Sequence, residues 1–407
     1  VLHSFATVRA QAPADKWLVL PVKTLASNDA EHSSLETLHS ITEALRQDLA
    51  LRGESVWGAD RAADRFEAIG SAPAPEVSQS DIDRWVERSR AAVRYLARAD
   101  YKAARRELKA AQSLADRAAE ELNREAARAQ QVLDTCLFMV RAYLETQDQS
   151  DARRQARECR HLVPRVEPSA FRHTPEVRDL LADVDAEIAA EAPGTLEVTS
   201  LPESCLVRIN GVGFGRTPLG NVELPVGTYR IQVECDPSTR GRIHRVPIVS
   251  GPNHFFVDGE LDRVVRTRPV LHLEYASIEA WESRMTHAAA VADVLMPASP
   301  LVVTALPGNV VRVDSDPVHV AAASVWVPAP EGRLSPEDVR RTIDALLEGR
   351  SVDFTGPQPI ARAGWRVVPV AAVSASMEQS PSESNPDVTD GSARPRRHRI
   401  AGWATFG

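Results

Sequence analysis

The sequence predicts a multidomain α+β protein, and three observations carry that prediction. Hydrophobic spacing follows a helical period from Asp81 to Ala190, then switches to a period of two after Pro193-Gly194. On either side of this block, residues 15–69 and 266–352 alternate short apolar runs with helical stripes, the mark of small α/β units. The chain has 407 residues, which at about 150 residues per domain leaves room for two to four domains. Stretches rich in Pro and Ser, at 70–80 and 374–399, punctuate the series as linkers.

Composition narrows the function classes. The chain carries 48 Lys and Arg against 56 Asp and Glu, a formal net charge of −8. Nucleic acid as a partner is excluded at the level of the whole chain, because phosphate binding calls for a basic excess. Only Lys16, Lys23, Lys102 and Lys109 are lysines, so the arginine richness reads as genomic bias and arginine clusters are discounted as phosphate signals. No run of 18 apolar residues occurs, so no transmembrane helix lies within these residues.

In the first α/β unit, Trp17–Leu20 ends at Pro21 as a buried strand. Leu35, Leu38, Ile41, Leu45 and Leu49 recur on one helical face, and Gly53 is placed to end that helix. Ser55-Val-Trp57 reads as a second strand and Asp60–Ile69 as a second helix. The helical segment 81–192 holds 20 basic and 20 acidic residues between 81 and 190, so it is neutral. Its strongest stripe runs through Ala129, Val132, Leu133, Cys136, Leu137, Val140, Tyr143 and Leu144.

Two stretches of this segment share internal spacing. Tyr95, Ala104, Leu108 and Ala111 form one, with Ala99-Asp-Tyr101 inside it; Tyr143, Ala152, Cys159 and Pro164 form the other. On these offsets the segment resembles a pair of degenerate tetratricopeptide repeats at about 85–118 and 133–166, without the usual glycine after either first helix. That resemblance implies stacked helix pairs that expose a groove to protein partners. A generic helical hairpin bundle is the alternative.

From Gly194 the strands are short and the turns frequent. Thr195–Thr199, Leu206–Ile209 and Tyr229–Val233 alternate, and Asn210-Gly211 is a strong hairpin signal because both central turn positions take positive φ. Gly194-Thr-Leu-Glu-Val198, Pro202-Glu203-Ser204-Cys205, Asn210-Gly211, Gly215-x-Thr217-Pro218-Leu219 and Leu224-Pro225-x-Gly227-x-Tyr229 together resemble a PEGA domain spanning about 193–265. Ser204 and Cys205 stand where the family has Gly-Ala. The resemblance implies a small, non-catalytic β-sandwich module of exported or membrane-tethered bacterial proteins.

The second α/β unit predicts a strand at Val270–Glu274, a helix at Ile278–Leu295, strands at Pro300–Leu306, Val310–Val313 and Val318–Val327, and a helix at Ser335–Leu347. Ser335 suits the N-cap and Pro336 the first turn. This order weakly resembles the amino-terminal α/β domain of TolB-like proteins, with residues 16–69 resembling its first half. One split domain and two separate ones both fit.

No catalytic constellation stands out. Gly211-x-Gly213-x-Gly215 lies between strands with no following helix, so turn glycines explain it better than a nucleotide loop. The eleven histidines form no zinc motif, and Asp314 with Asp316 reads as a solvated turn. No catalytic, cofactor-binding or metal residue is assigned, and the protein is expected not to be an enzyme. Cys205 opens one strand and Cys235 closes another, so a disulfide between them is expected, which requires an oxidising compartment. Cys136 and Cys159 sit at helical core positions, where buried thiols are favoured over a second bond.

The two ends carry localisation signals. Residues 1–14 hold small-x-small patterns at Ala10, Ala12 and Ala14, read as a signal-peptide remnant or a flexible amino terminus. Residues 353–373 are irregular, 374–399 form a disordered linker with a basic end, and Ile400–Gly407 resembles the onset of a membrane helix. The expected function is a non-enzymatic binding or scaffold protein of the periplasm or cell envelope. It would bind protein partners through its helical repeats, with cell-wall or membrane association. A sensory region of a membrane-anchored receptor is the alternative.

Overall fold

The computed structural model describes residues 16–24, 35–295, 299–305, 308–315, 318–325, 334–349, 358–359 and 366–368, all within one unit, Val1–Pro369. The readings made for 1–14 and 374–407 lie outside these residues, as does Asp316. Strand β1 (Trp17–Thr24) precedes helices α1 (Leu35–Leu51) and α2 (Ala59–Ile69). The strand expected at Ser55–Trp57 is reduced to a single bridge between Val56 and Trp17, since α2 begins two residues after Trp57. The linker 70–80 is also more structured than its composition implies: Ser71–Ala72 forms β2, and Ser78 caps the next helix reciprocally with Asp81.

Five helices follow: α3 (Gln79–Ala97), α4 (Tyr101–Leu122), α5 (Ala126–Leu144), α6 (Gln149–Leu162) and α7 (Pro175–Ala190). They pair as two hairpins, α3 with α4 and α5 with α6, and α7 closes the second. The two hairpin turns are the same turn, 48 residues apart. Ala99 and Gln147 adopt φ of +59° and +60°, Asp100 and Asp148 cap the following helices, and their backbone N–H groups donate to Tyr95 and Tyr143 carbonyls at 3.0 Å. The missing glycines thus have a structural counterpart, because both positions sit in the left-handed region that glycine enters without strain.

Strands β3 (Gly194–Leu201), β4 (Leu206–Ile209), β5 (Val212–Arg216), β6 (Leu219–Leu224), β7 (Gly227–Glu234), β8 (Ile243–Ile248) and β9 (Gly251–Asp258) form a two-sheet sandwich. After it come α8 (Gly259–Val264), β10 (Val265–Arg266), β11 (His272–Tyr275), α9 (Ile278–Glu282), α10 (Arg284–Leu295), β12 (Ser299–Ala305), β13 (Gly308–Ser315), β14 (Val318–Val325), α11 (Pro336–Leu347), β15 (Gln358–Pro359) and β16 (Arg366–Val368). The helix expected at 278–295 is broken into two at Ser283. Helix α11 begins as expected, with the Ser335 hydroxyl accepting from the Asp338 N–H.

Both α/β segments belong to one sheet. Its order is β10-β11-β1-β12-β13-β14-β15, and β1 pairs in parallel with β11 on one side and β12 on the other. The amino-terminal strand therefore sits inside a sheet whose other strands arrive more than 240 residues later. Trp17 and Val19 face α1 and α11, whereas Leu18, Leu20 and Val22 face the layer of α2 and α10. Burial on both faces explains why β1 reads as a continuous apolar run.

The sandwich sheets run β16-β9-β3-β6 and β2-β8-β7-β4-β5 around a core that includes Val198, Val207, Tyr229, Ile231 and Phe255. Its own strands end at Asp258, because β10 already belongs to the large sheet. Two strands come from outside: β2 from the stretch read as linker and β16 from the region read as irregular. Ala99→Gly should raise stability by about 0.5–1 kcal/mol, as relief of left-handed strain outweighs the entropy of glycine. Urea unfolding of the variant beside the parent chain measures it.

Candidate functional site

The sequence-assigned residues divide between the interior of the sandwich and a joint with the helices. In the interior, Thr217 is buried and its hydroxyl accepts from the Cys205 N–H at 3.0 Å and shares a hydrogen with Ser200 Oγ at 2.6 Å. Leu219 and Leu224 pack into the core. Tyr229 is fully buried and its hydroxyl donates to the Pro225 carbonyl at 2.9 Å, while burial holds the phenol above its ordinary pKa. The peptide bonds before Pro202 and Pro218 are cis. Pro202 and Glu203 are exposed at the turn. Ser204 takes φ of +64°, so the position where the family carries glycine keeps a glycine-like backbone despite its side chain.

The hairpin turn points elsewhere. Asn210 and Gly211 adopt φ of +49° and +85°, and their tip rests on the ends of α4 and α6. The Asn210 amide donates to the His161 carbonyl at 2.7 Å, and the Asn123 amide donates back to the Asn210 carbonyl at 2.8 Å. A Cβ on Gly211 would lie 2.7 Å from the Ala119 carbonyl oxygen, and one on Gly227 would lie 2.7 Å from His161 Nε2. At 211 the obstacle is backbone, so glycine is a condition of contact there, whereas at 227 it is the far end of a histidine side chain. Gly215, at φ of +145°, serves its own strand instead.

Charge closes the same joint. Arg124, just beyond α4, grips Glu234 through both guanidinium arms at 2.7 and 2.8 Å, and Arg208 reaches the same carboxylate at 3.0 Å. Arg230 donates to Glu120 at 3.0 Å and to the Asp116 carbonyl at 2.6 Å. Burial pushes the Glu234 carboxyl up, but Arg124 and Arg208 outweigh it and hold it below its ordinary value. On the other side of the sandwich, buried Arg242 donates to the Ser71 hydroxyl and carbonyl at 2.7 and 2.5 Å, and His244 pairs with Asp262 at 2.7 Å. Helices, sandwich and large sheet meet around a cleft of about 740 Å³, lined by both signs of charge, including Arg240, Arg263, Glu76 and Asp236.

Both cysteine pairs are joined. Cys205–Cys235 closes the turn side of the sandwich, with Cys205 buried and Cys235 exposed. Cys136–Cys159 ties α5 to α6, where sequence favoured two thiols; facing core positions one helix apart suit a bond as well as packing. Among the described residues, no group of three or more His, Cys, Asp or Glu is placed to hold a metal ion. His173 lies against Asp134 at 2.8 Å, an arrangement that pins the loop before α7 to α5. His272 is buried in β11 with its ring on the Val270 carbonyl.

A second open region lies between α3 and α5, a groove of about 720 Å³ with an apolar floor that includes Trp85 and Phe138. Sequence reading missed it, and it missed Asn123, Arg124 and Glu234 as partners, because those contacts join residues 87 and 110 positions apart.

Against known families, residues 193–236 match the PEGA domain. That stretch is β3 to β7, with the hairpin and the Cys205–Cys235 disulfide. No curated protein and no solved structure matches the chain. The tetratricopeptide and TolB resemblances gain no support from these comparisons. The PEGA domain and the two disulfides fit a structural or binding module of extracytoplasmic type. No described helix is long and apolar enough to cross a membrane.

Gly211→Ala should cost about 2 kcal/mol through strain at the joint, whereas Gly220→Ala, which meets nothing within 4 Å, should be near neutral. Thermal melts of the two variants make the comparison. Because the folded Glu234 carboxyl titrates below its ordinary 4.5, its contribution is fully present above that value and is lost as pH falls beneath it. Urea titrations should show that acid loss in the parent chain and a smaller one in Glu234→Gln.

Proposed function

We propose that this protein is a non-enzymatic scaffold of a bacterial cell envelope. The helical segment offers a tetratricopeptide-like surface to protein partners. The PEGA module is the extracytoplasmic structural unit that holds it in place. The observation that carries this reading is the use of the Asn210-Gly211 hairpin and its neighbours, which are spent on gripping α4 and α6. A module so engaged serves as a strut, and it leaves the α3–α5 side of the helices open.

The reading is tested on the full chain exported by its own host. Unfolded without reductant, it should show no free thiol, and reduction should release four. Reduction should also lower stability by about 3–4 kcal/mol per bond on the chain-entropy estimate. Four reactive thiols before reduction would remove the extracytoplasmic assignment. Cross-linking in the intact cell should retrieve an envelope protein in stable association, and its failure to do so would remove the scaffold role.

A further inference from the structure

The two disulfides differ in what surrounds them. Cys136 and Cys159 are 5 and 0 % exposed, and the void beside Cys136 is about 10 Å³, room for one water and no larger reagent. Cys205 is buried as deeply, at 1 % exposed. Its partner Cys235 is exposed and lines the cleft of about 740 Å³ between helices, sandwich and large sheet. One cysteine of this pair is closed to solvent, and the other stands at the wall of a space that admits a small molecule.

The place of the bond gives it a reach beyond the sandwich. It joins β4 and β7 one residue past the Leu206–Glu234 pair, so the ladder between these strands holds without it. Cys235 directly follows Glu234, the carboxylate that grips Arg124 of the helical segment. Its sulfur lies against Gly259, the first residue of α8, where a Cβ would come within 2.7 Å of Sγ. Helix α8 leads into β10 of the large sheet. Cys235 thus adjoins the contacts of the sandwich with both of its neighbours.

We propose that Cys205–Cys235 is an exchangeable disulfide, opened from the cleft by a low-molecular-weight thiol, and that its opening loosens the hold of β7 on α8 and the helices. The inference goes beyond the scaffold reading and stands whether or not an envelope partner exists. The thiolate attacks Cys235 Sγ and forms a mixed disulfide there as the bond to Cys205 breaks. Cys205 leaves with the electron pair and takes a proton from water. The Pro202 carbonyl oxygen, 3.0 Å from Cys205 Sγ, is placed to accept the new S–H. A second thiolate attacks the reagent's sulfur in the mixed disulfide, so Cys235 leaves, is protonated, and the reagent departs as its own disulfide. Two thiols are oxidised and one protein disulfide is reduced. Freed from Cys205, the Cys235 side chain is no longer pinned against Gly259, and the end of β7 that carries Glu234 loses its covalent tie to β4.

The test exposes the oxidised full chain, folded and without denaturant, to 2-mercaptoethanol, quenches by alkylation at intervals and maps the cysteines by mass spectrometry. The 205–235 bond should open at least about tenfold faster than the 136–159 bond. Single variants then locate the point of attack with the neutral reagent methyl methanethiosulfonate. The thiol left at 235 by Cys205→Ser should react at least about tenfold faster than the thiol left at 205 by Cys235→Ser. Amide hydrogen exchange compares the parent with Cys205→Ser/Cys235→Ser. Exchange in α8 and the last residues of β7 should rise at least about fivefold, with α5 and α6 as in the parent.

Equal opening rates for the two bonds overturn the proposal, since both would then await one unfolding event. A thiol at 205 as reactive as the one at 235 overturns the route from the cleft. Unchanged exchange in α8 and β7 overturns the effect on the contacts. Should the double variant fail to fold, exchange in the parent chain with that bond alone reduced decides the same point.

Discussion

One carboxylate, Glu234, holds two arginines that belong to different parts of the chain, and the arrangement of the modules depends on it. Arg124 comes from the end of the first helical hairpin and Arg208 from the sandwich. A buried carboxylate is costly to desolvate, and a single arginine would repay that only with good geometry. Here the geometry is bidentate from one side and supported from the other. The same residues fix orientation, since the fork of Arg124 meets Glu234 in one way only. Around the triad, the reciprocal amides of Asn123 and Asn210 and the glycine at 211 allow a backbone-to-backbone approach that no larger residue would permit. The joint is polar at its centre, so it specifies position more than it adds stability.

The second constraint is topological. Because β1 lies between β11 and β12, the large sheet is complete only when the two ends of the chain meet across the helices and the sandwich. Non-local pairing of this kind is slow to form and depends on what brings the ends together. Arg242 and the β2–β8 pairing bind the segment just after α2 to the sandwich, and α8 leads directly from the sandwich to β10. The sandwich is thus placed where it returns the chain to its starting point. The inserted modules shorten the effective loop that the sheet has to close.

Where the sequence speaks through local rules, it could be read. The apolar alternation of 194–199, the Asn210-Gly211 turn, the Ser335 cap and the stripe on α5 each follow from contacts a few residues apart, and the structure contains each. The PEGA residues were legible for the same reason. Two kinds of feature were not. A strand of two or three residues, such as β2 or β16, exists only because a partner edge accepts it, and its own composition says nothing. The joint is made by charges on separate helices and strands, so Glu234 looks like any strand-end acid. The disulfide between Cys136 and Cys159 was illegible because helical core positions suit a thiol and a bond equally.

The borrowed strands β2 and β16 have a consequence for what counts as a module here. They lie along the outer edges of β8 and β9, which would otherwise present free N–H and C=O groups to solvent. The stretch recognised as a PEGA domain ends at residue 236, before β8 and β9 begin. A piece cut at the recognised boundaries would lack two strands of its sandwich, and one cut at 258 would bare both of those edges to its neighbours. The matched stretch is therefore smaller than the unit that folds in this chain. The flanking chain supplies the difference as edge guards, one written into what reads as linker and one into what reads as irregular chain.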